Sequence, residues 1–185
     1  YTELAKALDI LHEGLRTANV ERLRDVAGQM RSVRQLTADW SATLNTARDV
    51  VSLNPTLWAH RPRIDELDRL FRLAGRAQAT TEMLARQSLG MMEEVGRLPA
   101  IDDLVGDCAA ATHALASSIG VLSKPLRARQ LLSAVAFRSS PADLETSDWR
   151  PTALMSLVRA LVVDLLQCTG LSRADARASA SVRLR

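Results

Sequence analysis

Aromatic residues are scarce: they make up 3% of 185 positions. Strands draw heavily on aromatic and β-branched residues, so a core built from Leu, Val and Ala points to helices. No stretch alternates with period two over a useful length, and no hairpin turn signal occurs, which excludes a sheet on independent grounds. Cysteine is also scarce. Cys108 and Cys168 fall inside predicted helices on or near their apolar faces. They give no disulfide framework, and buried free thiols of a reducing compartment are the plain expectation. There is no glycine-rich phosphate loop, nucleophile elbow, CxxC or HExxH, so the sequence offers no support for an enzyme and none for a cofactor. Residues 1–185 read without a signal peptide, and none is expected within them. The longest run without a charge, residues 108–123, contains Thr112, His113 and several Ser, and is too short and polar for a membrane span.

Lysine is nearly absent as well. Of 24 basic residues only Lys6 and Lys124 are Lys. The net charge is +3 and the pI about 9.4. Residues 173–185 hold four Arg and one Asp, which is +3, so the remainder is close to neutral. The basicity therefore reads as a C-terminal tail, and with no aromatic–basic interleaving no nucleic-acid partner is expected.

What the chain does have is helical periodicity. At 47% apolar and 24% charged it is ordinary globular material, most simply one domain over residues 1–185. In the stretch 149–171, Leu154, Leu157, Val158, Leu161, Val162, Leu165 and Leu166 recur at the spacing of one helical face. Pro151 suits the first turn and Gly170 the position just past the end. A helix this apolar has to be covered on most of its circumference, and the other helices must supply the cover.

Residues 2–18 read as a first helix, with Thr2 as its N-cap and Asn19 as the cap of the second. Residues 20–53 form one long helix, with Leu23, Val26, Met30, Val33, Thr37, Trp40, Leu44, Ala47 and Val51 spaced 3, 4, 3, 4. That is a heptad seam of coiled-coil type, roughly 50 Å long at 1.5 Å per residue. Gly28 lies off the seam, where close approach of a neighbouring helix would explain it. Residues 54–62, NPTLWAHRP, are a break. Residues 63–98 form a second long helix whose seam is polar or small in the middle (Gln78, Thr81, Ser88), as packing between rods or a partner helix would require. Its acid-before-Arg pairs Asp65–Arg69, Asp68–Arg72, Glu82–Arg86 and Glu93–Arg97 mark a solvated face. Residues 99–121 give a fourth helix with Leu122 ending its seam, and Lys124-Pro125 restarts a shorter one to about Phe137. Residues 139–150 read as loop, with a turn begun by Pro141. Ser172 caps a last turn, and residues 178–185 are expected to fray. The fold class is all-α: an elongated antiparallel bundle with two long coiled-coil-like helices and several shorter ones.

Candidate chemistry is thin. Asp9-x-x-His12 occurs once, without the repeat a di-metal bundle needs, so His12 reads as a solvated residue and no metal site is expected. His113 reads as a partly buried, satisfied histidine. Glu93 and Glu94 point about 100° apart, and Met91-Met92 reads as core filling. The cluster at the tip of the long hairpin, His60, Arg61 and Arg63, is the one local candidate for contact with an anionic ligand or lipid headgroup, against the plainer reading of a solvated turn.

Two stretches, LNPTLWAHRPRIDELDRL and SLVRALVVDLLQCTGLSRADA (residues 156–176), together resemble the soluble helical domain of actinobacterial members of the fusaric acid resistance-like, or aromatic acid exporter, family. The resemblance implies a cytosolic helical domain, on the inner face of the plasma membrane, belonging to an integral-membrane exporter of aromatic and other organic acids. Its partners would be the membrane-embedded portion of the same protein and a second copy in a homo-oligomer, with an aromatic acid as substrate. Neither stretch carries catalytic residues. The chain begins at Tyr1 without an initiator Met, as a piece of a longer protein would. Two alternatives stand beside this: a freestanding helical adaptor that binds a protein partner, and a bundle with an aromatic-acid pocket near Arg61 and Arg63.

Overall fold

The computed structural model describes residues 1–121, 123–140, 144 and 148–181, and these are all-α, with no strand among them. The helices are α1 (Thr2–Thr17), α2 (Val20–Leu53), α3 (Arg61–Glu94), α4 (Pro99–Gly120), α5 (Leu126–Arg138), α6 (Trp149–Cys168) and α7 (Arg173–Ser181). A 3-10 turn, Pro55–His60, joins α2 to α3.

The breaks follow from local chemistry. Ala18 adopts a left-handed conformation (φ 53), and the N–H groups of Ala18 and Asn19 return to the carbonyls of Leu15 and Gly14. The Asn19 side chain then caps α2 by accepting from the Arg22 N–H. A Cβ at Gly14 would lie 2.7 Å from Leu23 Cδ2, so glycine lets α2 fold back directly against α1. Asn54 caps the 3-10 turn through the Thr56 N–H, with Pro55 at its first position. α3 stops at Glu94, four residues before the expected end, because Gly96 takes φ 85 and Pro99 is already the first residue of α4. Asp148 caps α6, and Gly170 at φ 93 follows its last turn.

α6 is covered as its composition demands. Its buried residues include Leu154, Met155, Val158, Leu161, Val162, Leu165 and Leu166, and α3, α4, α5 and α7 pack around it. Among the described residues it is the one helix long and apolar enough to cross a membrane, and here it forms the centre of the body. α1 buries Leu4, Leu8, Leu11 and Leu15 against α2, α3 and α4. At 16 residues α1 spans about 24 Å, whereas α2 at 34 residues spans about 50 Å. α1 therefore covers only the first half of α2. Beyond it, α2 packs only on α3 and the 3-10 turn, and the two helices run out from the body as an antiparallel arm.

The arm explains where several expectations fail. The α2 seam is buried at Leu23, Val26, Met30, Leu44 and Val51, but Trp40 is 51% exposed because no third helix lies beside it. A Cβ added at Gly28 would meet no other helix, only the Arg31 guanidinium at 3.7 Å, so helix proximity does not account for that glycine. Gln78, Thr81 and Ser88 are buried, which makes them packing between helices of this chain. Of the four expected i,i+4 pairs on α3 only Asp68–Arg72 forms, at 2.8 Å. Arg69 pairs with Glu66, Glu82 with Arg34 of α2, and Arg97 with Asp102 of α4.

The expected fraying from residue 178 is also corrected, since α7 continues to Ser181. Ala176 and Ala180 are buried, and Arg159 of α6 donates to the Ala180 carbonyl. Two alanines four residues apart are too weak a signal to read as a core face. Leu122, Pro141 and residues 182–185 lie outside the described residues.

Candidate functional site: the arm and an arginine-lined cleft

His60, Arg61 and Arg63 sit at the far end of the arm, where the 3-10 turn passes into the first turn of α3, and all three are exposed. The Arg61 guanidinium lies over the Trp58 ring at 5.6 Å, a cation–π contact that holds it along the turn. Arg61 also lines a shallow cleft with Arg48, Val51, Ile64 and Asp65, while His60 and Arg63 do not reach it. The three side chains are neighbours in sequence but do not converge on one point.

The two residues of Asp9-x-x-His12 part company. His12 is partly buried rather than solvated: its Nδ1 donates to the Asp102 carbonyl at 2.8 Å, and its ring lies against Gly106 of α4. Asp9 accepts instead from His113 Nε2 at 2.7 Å, and His113 is exposed, not partly buried as its Ala/Ser/Thr-rich surroundings imply. No group of His, Cys, Asp and Glu able to hold a metal occurs among the described residues. Glu93 and Glu94 are exposed, and Glu94 pairs with Arg150. Met91 is core. Both cysteines are buried and free. Burial pushes the Cys108 thiol up to about 12 and the Cys168 thiol up to about 11, so neither is a nucleophile at neutral pH. Cys168 accepts a hydrogen bond from the Tyr1 hydroxyl at 3.2 Å, and that hydroxyl also donates to the Leu70 carbonyl at 2.6 Å.

Two surfaces stand out. The first is the side of the arm. On one edge α2 and α3 are joined by the ion pairs Arg34–Glu82 (3.3 Å) and Arg48–Asp68 (3.3 Å). Elsewhere on the arm, Leu36, Trp40, Leu67, Phe71 and Ala74 line an apolar groove of about 410 Å³, closed at the body end by Tyr1, Leu4 and Ile119. Leu36 and Trp40 are each about half exposed (48% and 51%), and Val50, Leu53 and Trp58 are further exposed apolar residues on the arm.

The second is a cleft of about 620 Å³ between α3 and the start of α7, lined by Arg69, Arg72, Arg76 and Arg173 with Gln167, Ser172, Leu73 and Leu171. Arg69, Arg72 and Arg76 share one face of α3 at i, i+3 and i+7. Arg173 arrives from the other side because the chain reverses at Gly170. Arg129 of α5 fixes that reversal by binding both the Thr169 hydroxyl and the Thr169 carbonyl. Asp175 N–H donates to Ser172 Oγ, capping α7 at the cleft. Carboxylates stand around the rim: Glu66 holds Arg69, Asp68 is shared by Arg72 and Arg48, Asp164 lies 3.4 Å from Arg76, and Asp175 accepts from Ser172 Oγ at 2.7 Å. Burial raises the Asp164 carboxyl above its ordinary range, against the opposing pull of Arg76 and Arg173. The same arginines look like a solvated face in the sequence, and Arg173 looks like part of a basic tail. Only the return of α7 onto α6 and α3 brings them together, and no local pattern announces it. Comparison of the chain with protein-family models, with curated proteins and with solved structures gives no match.

Proposed function

We propose that this chain is the cytosolic helical domain of an integral-membrane exporter of aromatic or other organic acids, and that its work there is to assemble subunits. The observation that carries the assembly role is the apolar side of the arm. Leu36, Trp40, Leu67 and Phe71 form a contiguous apolar surface on a rigid pair of helices, and isolated surfaces of that kind mark protein contacts. The exporter context rests on the resemblance of residues 53–70 and 156–176 to the soluble region of that family. Transport itself would belong to the membrane portion. Fractionation of source cells with an antibody against this chain, followed by an alkaline carbonate wash, tests the context. Antigen retained in the washed membrane pellet, at a mass well above the 20.2 kDa of this chain, is the expected result. A soluble species near that mass overturns it and favours a freestanding adaptor, a reading supported by the fact that α6 is consumed in the core of the body. Light scattering tests assembly separately: the chain should self-associate, and Trp40→Glu should return it to a monomer.

A further inference from the structure

The arginine-lined cleft shares the 67–76 stretch of α3 with the apolar groove but opens on a different face of that helix, so the two share no lining residue. Four guanidinium groups line it and no carboxylate does. Three of the four are tethered at the rim, by Glu66, Asp68 and Asp164. Asp68 already serves Arg48 as well, and Arg173 makes no side-chain hydrogen bond or ion pair with any described residue. Asp175 is held by Ser172 Oγ at the same edge, so with Arg48 five guanidinium groups draw on four carboxylates, and a positive excess is left at the cleft. Its charge is also strung out. Arg69 and Arg76 are seven residues apart on one helix, about 10 Å along its axis. Arg173 faces them across the gap, at the capped N-terminus of α7, where the helix dipole adds to the positive field. The lining has no aromatic ring on which a base could stack, only the aliphatic side chains of Leu73, Ala79 and Leu171.

A compact anion such as a single carboxylate or orthophosphate uses one guanidinium fork. A row of forks along a cleft fits an anion whose charge is itself spread along a chain. We infer that this cleft binds a condensed phosphate chain of two or more linked phosphoryl groups, gripped between Arg69, Arg72 and Arg76 on one side and Arg173 on the other. The ligand is recognised through its phosphates, so free oligophosphate and the phosphate tail of a nucleotide are equivalent to the cleft.

Calorimetry on the full chain with sodium tripolyphosphate, ATP and orthophosphate, in a buffer without competing polyanions, tests this. Saturable one-to-one binding of tripolyphosphate is expected, with orthophosphate at least about tenfold weaker because it engages fewer forks. ATP within a few-fold of tripolyphosphate identifies the phosphate chain as the whole determinant. ATP binding much more tightly supports the class and assigns the nucleotide as its source. Arg173→Gln should weaken tripolyphosphate at least about tenfold with an unchanged melting curve, since the exposed Arg173 side chain has no bonded partner to lose. The paired tip variant Arg61→Gln with Arg63→Gln should leave binding as it was. Absence of saturable heat with tripolyphosphate overturns the inference. So does equal affinity for orthophosphate, or loss of binding in the tip variant to the same extent as in Arg173→Gln, which would mean unspecific attraction to a basic chain.

Discussion

Single side chains decide how closely the helices of the body approach. At Gly106 an added Cβ would meet the His12 ring at 2.9 to 3.1 Å, while His12 is held by its hydrogen bond to the Asp102 carbonyl. Gly106→Ala should cost about 1–3 kcal/mol in urea unfolding, as overpacking does. The double variant with His12→Ala should cost less than the sum of the two singles, because the clash is with that ring. The thiols give a second prediction. With pKa values of about 12 and about 11, Cys108 and Cys168 should be alkylated at pH 8 at least about 100-fold more slowly in the fold than in denaturant, as mass spectrometry would show. Asp164 gives a third. Its folded-state pKa is raised by burial, so the fold binds this proton more tightly than the unfolded chain does. Its contribution to stability is therefore greatest at low pH and is lost as pH rises above about 4, the ordinary aspartate value, toward the raised one. Asp164→Asn should remove that loss, so the variant's stability relative to the parent should increase with pH across this window in parallel melts. Buried thiols and a core Met91 can be read from the sequence, since both depend on position along a helix. The partners of His12, His113 and Arg69 cannot, since each is chosen by another helix.

At the scale of elements, period and punctuation settle most of the outcome. Pro55, Pro99, Asn19, Asn54 and Gly170 mark boundaries that lie where their backbone preferences put them. Two helix ends depart from their periodicity. The heptad register of α3 runs on through Val95, but Gly96 stops the helix regardless, because a left-handed glycine outweighs one more apolar residue. α7 has the opposite history: nothing about ASAS suggests a core, yet a helix of small residues packs closely, and Ala176 and Ala180 meet the body. The long seam of α2 predicts a buried Trp40, and a seam specifies a face without specifying how many helices will cover it. Leu44 and Trp40 should accordingly part company. Leu44→Ala, on the side facing α3, should cost about 2–5 kcal/mol. Trp40→Glu should change stability by no more than about 0.5 kcal/mol while abolishing self-association.

The whole molecule is a body with an arm, and its two surfaces of interest lie on different faces of α3 where the arm leaves the body. The apolar groove runs along the arm and ends against Tyr1 and Ile119, whereas the arginine-lined cleft is made only where α7 returns to α3. The first helix and the sixth are tied together through the Tyr1 hydroxyl, which donates to Cys168 Sγ across 167 positions of sequence. α1 itself packs about equally on α2, next to it in sequence, and on α4, about 100 residues downstream. On the ribosome, then, α1 and α2 emerge as a hairpin whose second partner has not yet been made. At about 5–20 residues per second, α4 follows some seconds later. During that interval the leucines of α1 have only α2 to shelter them, and the face that α4 will cover stays open to water.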